Sequence, residues 1–482
     1  MYDQFNPNFY ANLEDDSAMI QAAVDAAKES SSAVTIPRYN ARTGKYIWNI
    51  DRSIQLYTGS VIYLDNCHLR QADDCNTNIF RNSNNGTPKG FTRMGRQSNI
   101  SIIGRGNALL DGGEHTGATE DNYKEFGLLS PTENSMFYFM NVEQVTICNL
   151  RIVSQRYRAM SFYYSSDVRI NDIDFYAPCQ WQDQDGISLH NGCRHFRINN
   201  ITGVVGKSVV LLANLQNYRE PLMRNAQYDD SIHNIVVQDI CCAAADAFVR
   251  TANHGGRKIY NILIQDCMAE CESDPTDKRS GPGRDNTKRP GGYSPIDVPV
   301  YQFPQEYAIA IGDYKAGLDD PDGMAKYGDT HHITIRNLTC RCYAGVYLSC
   351  TAKDVLIENV RMYGHGLSAV YFAQGPVRNV QVRDVYYSEN CKAVDALDDR
   401  LISYTFGTEN KDMAVLPQRQ LCAVYFKDSN VENADFCNIH AGQHLTSVFG
   451  GYGKVNITVS GITKARQDLP TNAGVGINLT EQ

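Results

Sequence analysis

Two short stretches, VRINDI (168–173) and FRINNI (196–201), share one pattern: apolar, any, apolar, any, Asn or Asp, apolar. The pattern recurs as VTICNL (145–150), IVVQDI (235–240), ILIQDC (262–267), ITIRNL (333–338), VLIENV (355–360) and VQVRDV (380–385), with weaker copies ISIIGR (100–105) and ITVSGI (457–462). Most neighbouring copies lie 22 to 28 residues apart; insertions lengthen the others, the longest between Asp266 and Asn337. Period-2 alternation marks a strand, and an Asn or Asp at a fixed place suits a left-handed bend that turns the chain. Short strands and polar turns repeating at this spacing are the mark of a β-solenoid rather than a sandwich.

A second strand precedes each copy: AMSFYY (159–164), DGISLH (185–190), KSVVLL (207–212) and DAFVRT (246–251), then YAIAIG (307–312), GVYLSC (345–350) and AVYFAQ (369–374). Two strands per coil predict an all-β fold, a single-stranded right-handed parallel β-helix whose equivalent residues stack at about 4.8 Å per coil. An open solenoid end needs a cap. Residues 12–30 supply it: Ile20, Ala23, Val24 and Ala27 form one apolar stripe at helical spacing, with Asp15 or Asp16 as N-cap. The expected organisation is one β-helix domain over 1–482, with a long loop at 272–305 and C-terminal coils and cap at 400–482.

Composition narrows the function classes. Hydrophobic residues make up 42% and charged residues 21%, which suits a globular chain with ample core. A net charge of −9 argues against a nucleic-acid partner. No run of about 18 apolar residues is present, so no membrane span is expected. The opening MYDQFNPNFYANLEDDS is polar and acidic, without the features of a secretory leader. With 15 cysteines, read chiefly as buried thiols, this favours a reducing cytoplasmic setting, and secretion if a leader has been removed. Cys267-Met-Ala-Glu-Cys271 and Cys340-Arg-Cys342 lack a matching second pair, so no structural zinc is expected.

The stretches DDSAMIQAAVDAAKESSSAVTIP (15–37), ISIIGRGNALLDGG (100–113) and MSFYYSSDVRINDIDFYAPCQWQDQDGISL (160–189) resemble the pectin-lyase-like β-helix superfamily. The likeness is greatest to its polygalacturonase-like glycoside hydrolases and covers roughly residues 12–465. That group carries an Asn-Thr-Asp-Gly segment, a Gly-Asp-Asp one coil later, a Gly-His-Gly and an Arg-x-Lys strand. The first aligns with Gln184-Asp185-Gly186, so the resemblance gives Asp185 a catalytic carboxylate position. The second aligns with Gly206-Lys207-Ser208, where both carboxylates are missing, and the third has no counterpart. The fourth falls in DAFVRTANHGGRKIYNI (246–262), with Arg250 and His254 nearby. The scaffold carries over; the polygalacturonase catalytic set does not.

Stacking the strand starts puts Asp185, Lys207 and Asp246 in one column, with the two carboxylates about 9.6 Å apart over two coils. Inverting glycosidases hold their acid and base carboxyls roughly 6.5–9.5 Å apart, so the column is admissible. Lys207 between them would keep one carboxylate ionised, and Asp183 is the alternative partner. Arg250, His254, Arg257 and His190 are candidate substrate contacts, as are Arg284 and Tyr293 in the 272–305 loop, which should lean over the Asp column. Insertions around 213–231 and 313–331 would narrow the groove. The expected activity is therefore hydrolysis of a plant-type or uronic-acid-containing oligosaccharide, without a cofactor, by a chain that could form a homo-oligomer. Two rivals stand beside it. One is a lyase, transferase or epimerase using Lys207 or Arg250, with a divalent cation such as Ca held by Asp183 and Asp185. The other is a non-catalytic glycan-binding or structural β-helix.

Overall fold

The structure, a computed structural model, describes residues 3–73, 75–113, 131–177, 184–215, 223, 228–244, 247–253, 257–269, 305–312, 328–340, 342–349, 352–363, 368–388 and 421–482. The chain packs as two compact units, Met1–Ala244 with Asp277–Val298, and Ala245–Thr276 with Pro299–Gln482. Within each unit the strands pair in parallel, coil upon coil, as a right-handed parallel β-helix.

In the first unit the helix runs over Asp16–Ser30. Its N-cap is Asp15, whose carboxylate accepts from the Ala18 N–H at 2.7 Å, and it ends at Ser31 in the left-handed region. Met19, Ile20, Ala23, Val24 and Ala27 are buried, so the apolar stripe covers the first coils. Asp16 is buried one residue inside the cap. Its carboxylate accepts from the Asn40 amide at 2.8 Å, the Arg42 guanidinium at 2.7 Å and the Asn49 N–H at 2.8 Å, which ties the helix to the loop it covers.

Each later coil has a short strand followed by a long one that bends. Ser166–Tyr176 pairs with Arg194–Val205 so that Val168, Ile170 and Ile173 stack on Phe196, Ile198 and Ile201, all buried. The Asn or Asp of the repeat is left-handed in every full copy: Asn149, Asp172, Asn200 and Asp239 in the first unit, Asp266, Asn337, Asn359 and Asp384 in the second. Neighbouring bends also bond to one another, as from the Asn200 amide to Asp172 at 2.6 Å and from Asn359 to Asn337 at 2.9 Å. A second left-handed bend stands five residues earlier in each copy and includes Gln144, His195 and His332, so residue type does not reveal it. In ISIIGR, glycine takes the bend position for a different reason. A Cβ on Gly104 would lie 1.8 Å from the Asn149 carbonyl oxygen.

One staple lay outside the sequence pattern. Arg156 is 1% exposed and its guanidinium donates to the carbonyls of Gly112, Cys75, Gln71 and Ala72, joining segments far apart in the chain.

In the second unit the strands Cys342–Ser349, Ser368–Ser388 and Cys422–Ala441 stack in register, with Val346, Val370 and Val424 inward. Between these inward residues, Tyr347, Tyr371 and Tyr425 form a ladder with ring centroids 5.3 Å apart at each step. The C-terminal coils continue through Ser447–Ser460 and end on Val475–Glu481. Residues 271–304 and 389–420, which hold nearly all of the expected long loop and the start of the C-terminal region, lie outside the described residues. Among the cysteines described, Cys67, Cys193, Cys242, Cys267, Cys340 and Cys422 are buried thiols, while Cys148 and Cys241 are half-exposed. Burial pushes the Cys67 and Cys193 thiols up to about 12. Among the described residues no helix is long and apolar enough to cross a membrane.

Candidate functional site

The site lies in the first unit, on short strands that pair in parallel: Phe137–Met140, Met160–Tyr163, Ile187–His190 and Val210–Asn214. Phe139 stacks on Phe162 at 5.6 Å, and Phe162 meets Phe196 of a long strand at 5.3 Å, so these rings fill the interior. Alternation then turns the intervening residues outward: Tyr138, Ser161 and Ser188 in one row, Met140, Tyr163 and His190 in the next.

This register corrects the expected column. Ile187 pairs with Met160 on one side and Val210 on the other. Two residues back, Asp185 therefore faces Arg158 and Ser208, whereas Lys207 faces Gln184. The inward set Ile187 and Leu189 on Val210 and Leu212 decides the alignment. The leading polar residue of KSVVLL sits one place further from that set than the Asp of DGISLH, so matching strand starts misplaces it.

Asp185 is fully buried and bound to both neighbouring coils. Its carbonyl accepts from the Ala159 N–H at 2.9 Å, and its carboxylate accepts from the Ser208 N–H at 3.0 Å. Gly186 follows because a Cβ there would lie 2.6 Å from the Val209 carbonyl oxygen. The other carboxylate oxygen stands 3.5 Å from Nε of Arg158, itself nearly buried. A buried carboxylate needs such a partner, since an isolated charge in the interior is costly.

Arg158 also reaches the next row: its Nη1 lies 3.3 Å from Nε2 of His190, while its guanidinium packs 4.6 Å from the Tyr157 ring centre. His190 lies flat on Tyr163, ring centres 4.2 Å apart at 8°. Burial, and then the Arg158 charge, hold His190 well below the ordinary histidine value. The Tyr163 hydroxyl lies 3.3 Å from Thr132, and its ring meets Tyr138 edge-on at 5.9 Å. Arg81 extends the strip, pairing with Glu133 at 3.0 Å and lying over Tyr138 at 5.7 Å.

Phe91, Met223 and Tyr228 pack against Tyr138, Met140, Tyr163 and Tyr164 and wall this face. Met223 and Tyr228 belong to the 213–231 insertion, as does Asp230, whose carboxylate accepts from the Tyr164 hydroxyl at 3.0 Å. Lys207 is half-buried beside Gln184, whose amide donates to the Gln155 carbonyl at 2.7 Å.

The second unit holds Arg250, half-buried on the strand Val249–Asn253, and Arg257, whose carbonyl accepts from the Asn253 amide at 2.9 Å. Asp183, Asp246, His254, Arg284 and Tyr293 lie outside the described residues. Among the described residues no group of three or more His, Cys, Asp or Glu side chains is placed to hold a metal ion. Of the sequence candidates, the structure thus brings together Asp185 and His190, through a residue that sequence reasoning passed over. Its signal was the Arg-Tyr-Arg run at 156–158, two arginines directly before an apolar strand one coil from Asp185.

No family model and no curated protein sequence matches the chain. Solved structures do. The N-terminal fragment of bacteriophage Phi29 gene product 12 aligns over 95% of this chain and 70% of its own, with a TM-score of 0.55 and 13% identity. A Family 28 exopolygalacturonase of Yersinia enterocolitica aligns over 98% and 77%, with a TM-score of 0.45 and 12% identity. The catalytic domain of a GH87 α-1,3-glucanase in complex with nigerose aligns over 95% and 67%, with a TM-score of 0.42 and 12% identity. At such identities a likeness speaks to architecture alone: the fold is a right-handed parallel β-helix.

Proposed function

We propose that the protein is a carbohydrate-active enzyme, a glycoside hydrolase acting on a plant-type or uronic-acid-containing oligosaccharide, with Asp185 at its centre. One observation carries this reading: Asp185, Arg158 and His190 gather at neighbouring short strands as a buried carboxylate, guanidinium and imidazole in contact. The Asp-Gly strand start supports it, since it matches the position of a catalytic carboxylate in the polygalacturonase-like hydrolases. Hydrolysis needs one carboxyl to protonate the leaving oxygen and one carboxylate to activate water. Asp185, bonded to the Ser208 N–H and beside a guanidinium, suits the carboxylate role. Asp183 is the candidate for the acid. Arg81, half-buried beside the site, offers donors to a sugar's oxygens.

A second reading has its own support. Asp185 is 0% exposed, and its bonds to Ala159 and Ser208 join three coils. A clamp of that kind suits a non-catalytic β-helix that binds glycans or serves structure. A screen for reducing ends released from plant cell-wall and uronate-containing oligosaccharides separates the two. Hydrolase action predicts turnover that Asp185→Ala lowers by about 10² to 10⁴, the range of acid–base groups. Turnover left within threefold by Asp185→Ala sinks the assignment. No turnover across the screen, with the variant destabilised, favours the clamp.

A further inference from the structure

We infer that Arg158 is a positioning residue: its guanidinium ties Asp185 to His190 and decides which ring nitrogen of His190 carries the proton. The inference goes beyond the hydrolase reading and holds whether or not Asp185 acts on a glycan. A guanidinium only donates hydrogen bonds. With Nη1 at 3.3 Å, Nε2 of His190 must present its lone pair, which leaves the proton on Nδ1. The stack on Tyr163 then blocks rotation of the ring, and burial removes water as a competing partner. His190 is thus a neutral ring in one tautomer, oriented as second partners orient functional histidines elsewhere.

The tie has a definite breaking point. A proton on Nε2 would turn that nitrogen into a donor facing a guanidinium, cation against cation. Arg158 would have to leave His190, and Asp185 would lose the geometry of its ion pair. The titratable or charged groups around the ring can be named among the described residues. Arg158 and Tyr163 come from the coil of Met160–Tyr163, and Asp185 and Cys193 from the ring's own coil. The strand Val210–Asn214 on the next coil contributes none. Arg158 therefore opposes the proton at close range, and Asp185 acts on the ring through it.

Long-range ¹H–¹⁵N NMR of the full chain, with the His190 signals assigned by their loss in His190→Gln, tests this. The wild type is expected to show one tautomer at neutral pH, with protonated Nδ1 and bare Nε2. Arg158→Met, similar in length and uncharged, should raise the His190 titration toward the ordinary value and mix the tautomers. Arg158→Lys should retain the tautomer. A protonated Nε2 in the wild type overturns the inference without any variant. A folded Arg158→Met with unchanged titration and tautomer overturns it too. If Arg158→Met does not fold, the wild-type spectrum and Arg158→Lys still decide. A failed glycan screen would leave these spectra unaffected, so the two readings fail separately.

Discussion

Outward-facing strand residues have opposite characters in the two units. In the second unit they repeat: Tyr347, Tyr371 and Tyr425 stack with planes 17° and 3° apart, and each ring finds its partner in a copy of itself. In the first unit they differ from coil to coil. Tyr163 stacks on His190, His190 meets Arg158, and Arg158 meets Asp185. A ladder of identical rings gains area burial and stacking with no charge to compensate. A buried carboxylate, guanidinium and imidazole gain nothing comparable, because desolvation offsets their attraction. The first face is therefore the poorer solution for stability alone, which points to a use for its polarity.

Substitutions can break that contrast. The largest effect expected is on turnover: Asp185→Ala should lower it by about 10² to 10⁴, while Tyr371→Ala in the ladder leaves it within about threefold. Stability should rank the other way for the ladder. Tyr371 is 1% exposed, so Tyr371→Ala should cost about 3–5 kcal/mol and Tyr371→Phe far less, measured by denaturant unfolding.

A pH series sharpens the comparison further. The folded state holds His190 well below its ordinary value, so the unfolded chain binds the extra proton. Its contribution to stability is whole above pH of about 6.5 and falls as pH drops below that, by at most about 1.4 kcal/mol per unit. His190→Gln should flatten that slope, while Tyr371→Phe should leave it unchanged. The smallest effect belongs to the bends. Asn200 is left-handed at φ 52°, so Asn200→Ala should cost about 1 kcal/mol and Asn200→Gly less, by thermal unfolding.

The fold was legible because its two determinants are local. Alternation such as Val168, Ile170 and Ile173 marks the buried face, and Asp172 marks the bend, within six residues of chain. The cap was legible for the same reason, from Asp15 and one helical stripe. The site was less legible. The strand start singles out Asp185 in the sequence, but stacking the strand starts set Lys207 in its column, where the coils place Ser208. Gln144 and His195 show the same limit: their left-handed bends follow from their place in the coil, not from their residue types.

What the sequence by itself determined is the coil: which residues alternate inward, where the chain bends, and which carboxylate opens a strand. What only the tertiary structure decided is who stands beside whom from one coil to the next. Arg158 and Asp185 are separated by a whole coil, and a slip of one residue would exchange Ser208 for Lys207 beside the carboxylate. That choice rests on the summed fit of inward side chains such as Ile187 on Val210 and Leu189 on Leu212. Fit of that kind exists only once the coils have stacked.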